Sequence, residues 1–109
     1  MSPLDVALRC ISDAPAKYRE DFPDWLRENF HIFEYFERSA LQVSRSGFDH
    51  YSARTIVEVM RHRTNIREIG DGTWKLNNNR TPDMAELFLA LHPELPGFFE
   101  LRERRKEAA

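Results

Sequence analysis

Cysteine and glycine are scarce in this chain: one cysteine, Cys10, and four glycines in 109 residues. A lone cysteine closes no internal disulfide, which excludes a disulfide-stapled extracellular mini-domain. Four glycines and six prolines, without a repeat, exclude collagen-like and low-complexity chains. No apolar run approaches the ~20 residues that a membrane-spanning helix needs. The opening Met1-Ser2-Pro3-Leu4-Asp5 has no basic block followed by an apolar one, so a cytoplasmic location is expected and a membrane role is not.

Chemistry-bearing patterns are equally sparse. His31, His50, His62 and His92 fall on different segments without paired ligand spacing, so no metal site is expected. No glycine-rich phosphate loop is present. No carboxylate stands isolated in an apolar run, where burial would tune it for acid–base work. Cys10 follows an apolar stripe and suits a small core position. No catalytic residue, cofactor or enzymatic activity is therefore expected.

What the chain does have is aromatic bulk: eight Phe, three Tyr and two Trp, within 41% apolar and 31% charged residues. That supply can close one core, and the length fits one domain over 1–109. The charged tail 102–109 is expected to fray. Net charge is −2, but its distribution is uneven. Residues 1–37 carry four basic and eight acidic side chains, residues 38–80 eight and four, and residues 81–109 four and six. Seven of the eight central cations are arginines, the side chain suited to planar, bidentate recognition of phosphates and bases. The same arginines also suit ordinary solvated helix faces.

Periodicity predicts the elements. Ser2 as N-cap and Pro3 in the first turn open a helix, with Leu4, Ala7, Leu8 and Ile11 on one stripe. Asp13-Ala14-Pro15 ends it, and a polar connection through Tyr18 to Pro23 follows. A second helix is expected from an Asp24 N-cap through Trp25, Leu26, Phe33, Phe36, Ala40 and Val43, with a break near Asn29 and Gly47 as its C-cap glycine. Ser52 caps a third helix over 52–63, with Ala53, Ile56, Val57 and Met60 inward. A β-hairpin is expected at 65–77, turning at Gly70-Asp71-Gly72. Thr81 as N-cap and Pro82 open a fourth helix, which His92-Pro93 stops. Phe98, Phe99 and Leu101 are expected to pin a last short helix, with Phe98 and Phe99 closing the core rather than forming a dimer patch.

This order, mainly α with one small β-hairpin, is winged helix-turn-helix-like. In that arrangement the 52–63 helix would enter the major groove of double-stranded DNA, presenting Ser52, Arg54, Thr55, Glu58 and Arg61. Arg45, Arg63, Arg67, Lys75 and Arg80 would meet phosphates. Dimerisation would add affinity, because one such module buries little surface. Two features pull the other way. The 46–51 connection is longer than a tight helix-turn-helix turn, and Asp71 puts an anion at the hairpin tip. A protein–protein interaction module therefore stays open as the alternative.

The run Phe36-Glu37-Arg38 with Ala40, then Tyr51-Ser52-Ala53-Arg54, Ile56-Val57-Glu58 and Arg61, then Lys75-Leu76-Asn77-Asn78-Asn79, Pro82, Ala85, Phe88, His92-Pro93-Glu94-Leu95, Gly97-Phe98-Phe99-Glu100 and Arg102 resembles a group of small proteins carried by bacteriophages and prophages. The resemblance spans residues 22 to 104. It implies a bacterial or phage cytoplasm, and either a phage regulator or an inhibitor of a host defence complex. It assigns no catalytic or binding residue.

Overall fold

The computed structural model describes residues 1–67 and 80–100, with 64–67 described by their backbone. Among these residues four helices follow in order: α1 (Pro3–Asp13), α2 (Phe22–Arg45), α3 (Ala53–Arg67) and α4 (Thr81–Leu91), with a 3₁₀ turn at Pro15–Lys17.

Local chemistry sets most boundaries. Ser2 Oγ accepts from the Asp5 N–H at 3.1 Å, and Asp5 Oδ2 accepts from the Ser2 N–H at 3.3 Å. This reciprocal cap, with Pro3 in the first turn, starts α1 as expected. Ala7 and Ile11 bury its inner stripe. The connection that follows is less polar than expected, because Tyr18 is buried and stacks on Phe22 at 5.8 Å, which stacks in turn on Trp25 at 5.8 Å.

Asp21, not Asp24, occupies the N-cap position of α2, and Pro23 lies in the first turn. The expected break is present at Asn29, with φ −130° and ψ 31°. There the Asn29 side-chain amide donates to the Trp25 carbonyl at 3.0 Å, offering the backbone a local alternative partner. Gly47 follows the helix end with φ +108°, the left-handed geometry that glycine adopts without strain. Ser52 Oγ accepts from the Thr55 N–H at 3.1 Å and caps α3. For α4 the N-cap position belongs to Arg80 rather than Thr81.

The winged-helix expectation is overturned. Helix α3 continues through Asn65, Ile66 and Arg67, where the first strand of a hairpin was expected. The remainder of that hairpin, 68–77, and the expected frayed tail lie outside the described residues. Among the described residues there is no strand, only an isolated parallel bridge between Tyr51 and Phe99, so the described fold is all-helical rather than α+β. The physical reason is continuity. No Gly or Pro stands between Ser52 and Ile69, and Ile66 and Ile69 repeat at a helical spacing of three, not at the two of a strand.

Helices α2 and α4 pack on each other, and both α1 and α3 pack against this pair. The core between them is aromatic. Phe22, Phe33, Phe36, Phe88, Phe98 and Phe99 are all at most 2% exposed. Phe99 meets Phe36 at 5.4 Å and Phe88 at 5.2 Å, and Phe98 meets Phe88 at 5.9 Å. The Tyr51 N–H donates to the Phe98 carbonyl at 2.9 Å. The segment after α4 therefore closes the core, as expected, but through turns and the bridge to Tyr51 rather than the expected short helix over its described part, and it ties down the start of α3.

Candidate binding surface

The surface opposite the α3 core stripe is set by the helical period. Ile56, Val57 and Met60 are buried, which leaves Arg54, Thr55, Glu58, Val59, His62 and Arg63 exposed. At about 100° per residue, Arg54 and Arg61 stand within about 20° of each other, whereas Arg63 stands about 180° round from Arg54. The α3 arginines thus occupy two opposite edges. Between those edges the outward face carries Thr55, Glu58, Val59 and His62.

The sequence-derived site residues accordingly divide. Ser52 serves as the α3 cap. Arg54, Thr55, Glu58 and Arg63 are exposed on α3, and Arg45 is exposed in the last turn of α2. Arg61 is half-buried and pairs with Glu58 at 3.8 Å, which offsets its charge. Arg80 is elsewhere: its guanidinium makes a bidentate pair with Asp21 at 2.9 and 3.1 Å and lies over the Trp25 ring, 5.5 Å from its centroid. Its side chain is only 14% exposed, so it joins the start of α4 to the start of α2. Bonded to Arg80, the Asp21 carboxyl is held below its usual range. The Arg67 side chain and Lys75 lie outside the described residues. Those described therefore do not form one basic strip.

Sequence reasoning missed the apolar part of this surface. Phe48, 51% exposed, sits in the α2–α3 connection with its ring edge-on to Tyr51 at 5.3 Å. Val59 is 46% exposed. Ser52, Thr55 and Val59 follow one another along one side of the helix, so the row runs from the Phe48–Tyr51 pair onto the outward face of α3. The available signals were position and period. Phe48 stands alone between Gly47 and Asp49, and Val59 falls outside the 53, 56, 57, 60 stripe.

Two polar clusters were also invisible in the sequence. His92 ends α4 with Nε2 2.7 Å from Glu37 and Nδ1 3.3 Å from Glu94, its ring 4.5 Å from that of Phe88. Both ring nitrogens are engaged by this chain's own carboxylates, which fastens α4 to α2. Near the α1–α4 contact, burial pushes the Tyr18 hydroxyl well above its usual value, helped by Glu86, Cys10 and Asp83. Burial and then Asp13 push the Cys10 thiol up, which lowers its thiolate fraction and hence its reactivity. Asp83 is fully buried, and its Oδ1 accepts from the Arg19 N–H at 3.3 Å. Among the described residues no group of three or more His, Cys, Asp or Glu side chains is arranged to hold a metal ion.

Comparison with protein-family models, with curated proteins and with solved structures gives no match. Among the described residues no helix is long and apolar enough to cross a membrane.

Proposed function

We propose that the chain is a non-enzymatic protein-binding module that engages its partner through the α2–α3 connection and the outward face of α3. One observation carries this reading. Seven of the eight phenylalanines lie in the core or pack against it, while Phe48 projects at the start of the α3 surface. Burying a phenylalanine side chain is worth about 1.5–3 kcal/mol, and with Phe48 51% exposed about half of that is left for another surface to collect. The resemblance to phage proteins, taken further, makes a host complex the natural class of partner.

The test is affinity capture from nuclease-treated extract of the source cells, comparing the natural chain with Phe48→Asp. A stable partner that survives nuclease and is lost on Phe48→Asp is expected. A partner indifferent to that change, or no partner, overturns the reading.

Double-stranded DNA is the second reading, favoured by a Ser52-capped helix that exposes Arg54 and Thr55 in its first turn. It requires duplex binding that falls steeply with salt, through counterion release. It also requires a loss of about 1–3 kcal/mol on Arg54→Ala. Anisotropy titration at low salt decides it.

A further inference from the structure

Resting on the protein-binding reading above, we propose that the partner surface is an apolar pocket for Phe48 and Val59 rimmed by carboxylates. Phe48 at the foot of α3 and Val59 about two turns along it supply the apolar contacts, and the exposed arginines stand on the edges of the helix and before the connection. Arg54 and Arg63 occupy opposite edges of α3, and Arg45 stands just before the connection that carries Phe48. Glu58 is already paired with Arg61, so the remaining anion within 45–63 is Asp49 against three arginines. The region is therefore positive on a chain whose net charge is −2. An apolar centre with a charged rim is the anatomy of a protein interface, and a positive rim is complementary to a negative one. Phosphate backbones suit this arrangement less well, because the face between the two edges carries Thr55, Glu58, Val59 and His62 and no arginine or lysine.

The experiment places a photo-reactive benzoylphenylalanine at position 59 and irradiates the full chain in nuclease-treated extract of the source cells. The adduct is digested, the contacted peptide sequenced, and the yield compared across two double variants. Arg54→Glu with Arg63→Glu reverses the rim. Arg9→Glu with Arg27→Glu makes the same charge change on α1 and α2, and circular dichroism confirms that both variants fold. The expected result is an adduct on a peptide that mixes apolar residues with Asp and Glu. Its yield should fall about tenfold on rim reversal, a typical scale for a lost set of rim charges, and hold in the control. An adduct on a neutral or basic peptide, or one that rim reversal leaves unchanged, overturns the carboxylate rim while protein binding stands. No protein adduct at all overturns both. So does an adduct that appears only when nuclease is omitted.

Discussion

The phenylalanine-lined interior and the α2–α3 connection use the same side chain in opposite ways. In the interior, Phe36, Phe88, Phe98 and Phe99 form one connected set of rings between 4.9 and 5.9 Å apart. In the connection, Phe48 touches, among the described residues, one ring, that of Tyr51, and stays half in water. The two regions are joined through backbone, by the Tyr51 N–H on the Phe98 carbonyl. The difference separates a closed interior, which carries the stability, from the seam beside it, where the proposed contact lies.

The comparison is most easily broken at the interior. Phe99→Ala removes a ring packed on Phe36, Phe88 and Phe98 and should destabilise the fold by about 3–5 kcal/mol, read as a lower urea midpoint. A change below about 1 kcal/mol, the scale of ordinary point substitutions, would mean that the C-terminal segment is not part of the core. Next in size is His92→Ala. It leaves Glu37, only 27% exposed on its side chain, without its 2.7 Å partner and uncovers Phe88. The expected loss is about 1–3 kcal/mol, again by urea unfolding. Replacing Glu94 instead, which is 64% exposed, should do far less.

How far such features could be read in advance depended on whether their cause was local. The Ser2–Pro3 start, the Asn29 break, the Gly47 stop and the Ser52 cap each rest on residues within four positions, and the sequence displayed them. The helix starts at Asp21 and Arg80 were missed because the more familiar capping residues, Asp24 and Thr81, stood nearby. In each case the proline in the first turn was the better marker. The hairpin expectation gave weight to the Gly70-Asp71-Gly72 turn signal and too little to the unbroken helical run from Ser52. The site was harder still. Counting cations grouped Arg80 with Arg54, and nothing local showed that Asp21, 59 positions away, would take it. Phe48 was hidden by the general rule that phenylalanines go inside.

A smaller effect sharpens the electrostatic side of the comparison. Asp21 is depressed chiefly by its bond from Arg80, so the ionised form is favoured in the folded chain. The contribution is present above the ordinary carboxylate value of 3.8 and is lost as pH falls through the lower, folded value. Asp21 is largely exposed, so solvent screening keeps the contribution small. Stability measured between pH 5 and 2.5, in about half-unit steps, should lose part of its acid slope in Arg80→Ala. An unchanged slope would show that the Asp21–Arg80 pair does not bias the fold.

A modest stability change is the most informative one. Phe48→Ala deletes a side chain that is half exposed and, among the described residues, packs on the Tyr51 ring. Stability, read by the urea midpoint, should therefore fall by about 1 kcal/mol, roughly half the value of a wholly buried ring and well below the loss for Phe99→Ala. The same substitution should abolish partner capture, because the apolar anchor at the centre of an interface carries a disproportionate share of its affinity. If Phe48→Ala instead destabilised the chain as much as Phe99→Ala, the ring would belong to the interior after all. The contrast between the two regions would then collapse, and its exposure would no longer argue for a partner. A modest effect on stability together with lost capture is the combination expected of a surface built for contact.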